Sequence, residues 1–128
     1  MRALLDTNII IHRENIRATN LTIGQLFYWL DRLHYEKLIH PLSISELRKY
    51  HSPQMQELYD AKLAAYTEMR SIAPQTDEFK RLLENAPNTD NDIIDNQLLF
   101  EVYCGRVDVL ITEDRKMRLK AKQLGIQD

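Results

Sequence analysis

Apolar and polar positions alternate along this chain in blocks whose period changes from block to block. Residues 2–5 form a short apolar run that stops at Asp6, the pattern of a buried first strand. Leu21, Ile23, Leu26, Phe27, Leu30 and Leu33 then recur at helical spacing, which predicts an amphipathic helix over 20–37. A second short strand is expected over 38–42, bounded by Pro41. Ser43-Ile44-Ser45-Glu46 has the spacing of a capping box and predicts a helix start. Pro53 opens a longer helix with Met55, Leu58, Leu63, Tyr66 and Met69 on its apolar side, ended by Ala73-Pro74. A shorter helix follows over 78–84, broken at Ala86-Pro87-Asn88, and another over 90–104, capped by Gly105. A third strand is expected over 107–111, and a last helix over 114–124, closed by Gly125.

The resulting order is strand, helix, strand, several helices, strand, helix. Such alternation implies an α/β fold with a central parallel sheet and helices on both sides. The 128 residues suit one domain, 1–128. The chain stops at Asp128, where a further strand is expected, so a longer protein is anticipated.

Charge and cysteine change the picture little. The formal net charge is −2, so bulk charge does not announce a nucleic-acid partner. A lone cysteine, Cys104, cannot form an internal disulfide, and in an apolar helix end it is expected to be buried. No apolar run approaches the roughly 18 residues of a membrane span. The short run before Asp6 does not resemble a signal peptide. A cytoplasmic protein without membrane association is expected.

Chemistry enters through acids at strand ends, because open α/β sheets bind ligands at the carboxyl ends of their strands. Asp6 ends the first strand, Glu46 follows the second, Asp95 lies early in the helix before the third, and Asp114 follows the third. Four carboxylates at one edge repel each other and resist ionisation. A hard divalent cation, Mg²⁺ or Mn²⁺, relieves that repulsion through oxygen ligands and promotes attack on phosphorus. The four are therefore expected within reach of shared metal ions. Thr7, Asn8 and Thr112 are polar neighbours able to orient them. Each acid also has a local structural role open to it. Asp6 can cap a turn, Glu46 can serve Ser43, and Asp114 can cap the last helix.

Leu4-Leu5-Asp6-Thr7-Asn8-Ile9, Ser45-Glu46-Leu47, Asp92-Ile93-Ile94-Asp95-Asn96-Gln97-Leu98-Leu99 and Leu110-Ile111-Thr112-Glu113-Asp114 together resemble the PIN-domain family, over nearly the whole chain. The resemblance implies an RNase-H-like three-layer fold and metal-dependent endoribonuclease activity. Many members are toxins of toxin–antitoxin pairs. It places Asp6, Glu46, Asp95 and Asp114 in the acidic catalytic positions, Asn8 and Thr112 in the orienting ones, and Asp92 as an additional metal-site acid. RNA is the implied substrate. An antitoxin, a second copy of the chain and a C-terminal fused domain, such as an acetyltransferase, are the implied partners. The segment between Glu46 and Asp92 is longer and more helical than in compact toxins.

The last helix carries Arg115, Lys116, Arg118, Lys120 and Lys122, read either as a solvated outer face or as a phosphate-tracking strip. Arg115, Lys116 and Lys120 are the named nucleic-acid contacts. Phe27, Tyr28 and Trp29 are expected in the core and at its edge. Competing chemistries fit less well. A haloacid-dehalogenase-like phosphatase needs an acid where Asn8 stands, and a phospho-receiver domain needs paired acids where Asp6 stands alone. A non-catalytic RNA- or protein-binding module on the same fold is the alternative function.

Overall fold

The computed structural model describes residues 1–14, 21–49, 52–83 and 90–126. The elements run β1 (Arg2–Leu5), α1 (Thr7–Glu14), α2 (Leu21–Arg32), β2 (Glu36–Ile39), α3 (Pro41–Lys49), α4 (Pro53–Leu63), β3 (Thr67–Glu68), α5 (Asp77–Leu82), α6 (Asp90–Tyr103), β4 (Val109–Ile111) and α7 (Arg115–Gln123). The four strands form one sheet in the order β3-β2-β1-β4, with every pairing parallel.

Strand side chains alternate between faces, and this divides the core in two. Leu4 and Leu38, paired in register, turn to the face covered by Phe79, Leu98, Phe100, Met117 and Leu124 of the α5–α7 side. Ala3, Leu5 and Ile39 turn to the other face, beneath Ile9, Ile10, Ile23, Phe27 and Leu47 of α1–α3. Short apolar strands buried on both faces are what parallel sheets require. The expected α/β fold, a parallel sheet flanked by helices, is the observed one.

Three local expectations are corrected. The second strand occupies Glu36–Ile39 rather than 38–42, because Pro41 takes the first position of α3, where its missing N–H costs nothing. Ser43 therefore lies inside α3 and does not cap it. His40 does, with its carbonyl accepting from Ser43 N at 3.0 Å and its Nδ1 from Leu42 N at 3.1 Å. The helical pattern beyond Leu63 is broken by β3, which pairs with the end of β2 and sends Tyr66 and Met69 to opposite core clusters. A helix not anticipated from sequence, α1, follows directly on Asp6.

Gly105 and Gly125 hold φ of 79° and 71° and close α6 and α7, a conformation that side chains with a Cβ rarely adopt. The expected break at Ala86-Pro87-Asn88 and the end of the chain at Asp128 lie outside the described residues. Among the described residues no helix is long and apolar enough to cross a membrane.

The chain builds β1, β2 and β3 outward in one direction, then places β4 on the other side of β1. The crevice between the carboxyl ends of β1 and β4 is thus a topological switch point, where open sheets leave room for a ligand.

Candidate functional site

Asp6 closes β1 in that crevice. Its N–H donates to Ile111 O at 3.0 Å, and its carbonyl accepts from Ile9 N at 3.0 Å, so one residue ends a strand and starts α1. The carboxylate is buried beneath both. Thr112 Oγ1 donates to Asp6 Oδ2 at 2.7 Å, and the Thr7 backbone N–H also serves the carboxylate. Burial nevertheless outweighs these bonds and raises the Asp6 pKa, with Asp114 and Glu113 adding to the rise.

Asp114 caps α7, its Oδ1 accepting from Lys116 N at 2.8 Å. Its own N–H donates to Thr112 Oγ1 at 3.0 Å. The Thr112 hydroxyl therefore relays one hydrogen-bonded chain from Asp114 to Asp6. Glu46, half-buried on α3, is raised in pKa by burial and then by Asp6. Asp95, half-buried on α6, is pushed up to about 7, first by burial, then by Asp6 and Asp114, with Glu46 adding and Lys120 opposing. Acids from β1, α3, α6 and the head of α7 thus act on one another across the switch point.

The donor set is all oxygen, which suits a hard divalent cation and not a zinc site. Among the described residues, however, no three Asp, Glu, His or Cys side chains stand close enough to hold a metal ion as they are turned. This corrects the expectation of mutual bridging reach. The reason is local: Asp6 is turned toward the Thr112 hydroxyl and Asp114 toward the Lys116 N–H.

Two further site residues lie differently from the sequence expectation. Lys120 is buried, with Nζ 3.2 Å from Asp92 Oδ1 and 2.9 Å from Asn96 Oδ1. It cannot line a surface strip for phosphates as it stands, and Asp92 is an ion-pair partner inside the protein. Both follow from the apolar stripe of α7, since Lys120 falls between the buried Met117 and Leu124. Arg115 and Lys116 are exposed at the start of α7, beside Asp114. Asn8 is exposed on α1. The hydroxyls of Thr7 and Ser43 are buried without a hydrogen-bond partner among the described residues. Cys104 is exposed rather than buried, since it lies in the turn before Gly105, just past the end of α6 at Tyr103. Phe27 is buried, but Tyr28 and Trp29 are more than half exposed, because only one face of α2 meets the sheet.

Sequence reasoning missed a buried network centred on Glu101, which is wholly inaccessible. Its Oε1 accepts from His40 Nε2 at 3.0 Å, Ala73 N at 3.1 Å and Gln97 Nε2 at 3.1 Å. Its Oε2 accepts from Arg106 Nη1 at 2.9 Å. Because Nδ1 of His40 accepts from Leu42, the ring carries its proton on Nε2 and is neutral. Burial lowers the His40 pKa in keeping with this, against the opposing pull of Glu101. The network ties α6 to the cap of α3, the helix that carries Glu46. The signal in the sequence was a lone acid between Phe100 and Val102.

A family model for the PIN domain matches residues 3–128. The chain belongs to the PIN-domain family. PIN domains are generally nucleases and generally use divalent metals. Comparisons with curated proteins and with solved structures give no match.

Proposed function

We propose that this PIN domain is a divalent-metal-dependent endoribonuclease of the cytoplasm, with Asp6, Glu46, Asp95 and Asp114 as its catalytic acids. The observation that carries the reading is Asp95, whose carboxyl is held near a pKa of 7 by burial and by Asp6, Asp114 and Glu46. A cluster that suppresses its own ionisation is destabilised without a cation and relieved by one, which is the electrostatic signature of a functional site.

Bound by these carboxylates, Mg²⁺ or Mn²⁺ supplies charge neutralisation at a phosphate oxygen and acidification of water. The rest is done by the chain. Thr112 fixes the rotamer of Asp6, and the head of α7 fixes Asp114. Arg115 and Lys116 stand beside Asp114 to hold flanking phosphates of a single strand. Both sit in the first turn of α7, against the helix dipole, so helix stability does not explain them. The preference for RNA rests on the family. A role as a toxin silenced by an antitoxin belongs to the same reading, and rescue of growth by a co-expressed neighbouring small gene checks it.

The test is cleavage of labelled single-stranded RNA by purified protein with Mn²⁺ or Mg²⁺. Asp6→Asn and Asp114→Asn should abolish cleavage while the circular dichroism spectrum is kept. If the parent cleaves nothing with either ion, the nuclease reading fails and the non-catalytic binding module replaces it.

A further inference from the structure

A buried lysine is rare unless paired, and Lys120 is only 5% exposed. Its two partners are both on α6: Asp92, 2% exposed, and Asn96. Desolvating an ion pair costs about as much as the pair returns, and a well-packed apolar side chain in its place is often as stable or more so. Met117 and Leu124, on either side of it along α7, are both buried. Fold stability alone therefore does not account for the ammonium.

Placement does. Asp92 lies one turn before Asp95 on α6, and Asn96 lies immediately after it. The Lys120 ammonium thus grips α6 on both sides of Asp95. Lys120 itself belongs to α7, the helix that Asp114 caps. One cation accordingly spans the two helices that deliver two of the four acids. Its charge also reaches Asp95, where it works against the acids around it.

We propose that Lys120 is a positioning residue: through Asp92 and Asn96 it sets the separation of α6 and α7, and so brings Asp95 and Asp114 to a common divalent cation. The proposal rests on the metal-dependent reading above. Asp92 is on this account the anchor of that clamp and not a metal ligand.

The experiment measures Mn²⁺ affinity directly, by the electron paramagnetic resonance signal of free Mn²⁺, alongside the thermal midpoint. Lys120→Met alone leaves the buried Asp92 carboxylate without its ammonium and should lower the Tm. Lys120→Met combined with Asp92→Asn removes both charges and should restore the Tm. The double variant should still bind Mn²⁺ about tenfold more weakly than the parent, as loss of supports behind metal ligands generally does. Asn96→Ala, which removes one bond without isolating a charge, should weaken binding in the same direction. Parent-like affinity in a parent-stable double variant, or in Asn96→Ala if the double variant does not fold, overturns the positioning role. Absence of Mn²⁺ binding by the parent itself overturns the metal reading as well.

Discussion

The Thr112 hydroxyl donates to Asp6 Oδ2 at 2.7 Å across 106 positions of sequence, joining the ends of two neighbouring parallel strands. The same oxygen accepts the Asp114 N–H at 3.0 Å, so its proton and one of its two lone pairs are committed. Thr112→Val keeps the shape and deletes both bonds. It should cost about 1–3 kcal/mol in a denaturant titration, because a buried carboxylate loses one of its donors and a backbone N–H loses its acceptor. It should also weaken Mn²⁺ binding, since Asp6 loses the group that fixes its rotamer. Thr112→Ser, which keeps the hydroxyl, should restore both properties.

The acid cluster fixes the sign of a pH effect. The folded pKa of Asp95 is raised to about 7 from an ordinary 3.8, so the folded state holds a proton that the unfolded chain gives up. Stability from this group is fully present at low pH and is lost as pH rises between about 4 and 7. Asp6 and Glu46, shifted the same way, add to that slope. His40 contributes oppositely: its lowered pKa favours folding above 6.5, and that gain falls away as the pH drops below it. In a chelator, Asp95→Asn should therefore be more stable than the parent at pH 8, by on the order of 1 kcal/mol. Millimolar Mn²⁺ should raise the Tm of the parent and leave that of the variant unmoved. Equal metal responses in thermal melts would remove Asp95 from the site.

Much of this architecture was legible in the sequence, and the illegible parts share a cause. Arg2–Leu5 reads as a strand because its apolar run stops at an acid, and α7 reads as a helix between Asp114 and Gly125. The position of β3 could not be read, since Leu63, Tyr66 and Met69 keep helical spacing and only pairing with Leu38 and Ile39 makes Thr67–Glu68 a strand. The three consecutive isoleucines of α1 fit no single period, as Ile9 and Ile10 are buried while Ile11 is only partly so. Asp6 and Asp114 stand where the sequence reading put them, just past the ends of β1 and β4. The carboxyl rotamers could not be read, because these depend on partners such as the Thr112 hydroxyl, remote in sequence from Asp6. Lys120 was mistaken for surface because its helix is basic throughout, although its place on the Met117–Leu124 stripe carried the information.

Glu101 offers a test of the fold apart from the site. Its two oxygens satisfy a histidine, an arginine, a glutamine and a backbone N–H inside the core. Glu101→Ala takes this acceptor from Arg106, His40 and Ala73 N and should cost about 3–5 kcal/mol, as breaking one side of a buried charge pair does. Glu101→Gln should cost less, because one oxygen remains and the volume is kept. Guanidinium unfolding of the three proteins measures the order, and Glu101→Gln should lose less RNA cleavage than stability if the network only supports α3 from behind.

The exposed cations at the head of α7 separate binding from stability by opposite signs. Arg115 and Lys116 lie where the helix dipole is positive, so each costs the helix about 0.3–1 kcal/mol. Removing them with Arg115→Ala and Lys116→Ala should raise the Tm slightly. If they hold phosphates beside Asp114, the same change should weaken single-stranded RNA binding and flatten its salt dependence. The slope of log affinity against log salt falls by about 0.7 for each phosphate of a single strand that the protein no longer neutralises. Lys120→Met should do the reverse, lowering the Tm because the buried Asp92 loses its ammonium while leaving the salt slope as in the parent, because that ammonium is buried against α6. Fluorescence anisotropy with a catalytically silent Asp6→Asn background, read across a salt series, measures both slopes. An unchanged slope in the double alanine variant would mean that RNA approaches the acids from another side of the crevice.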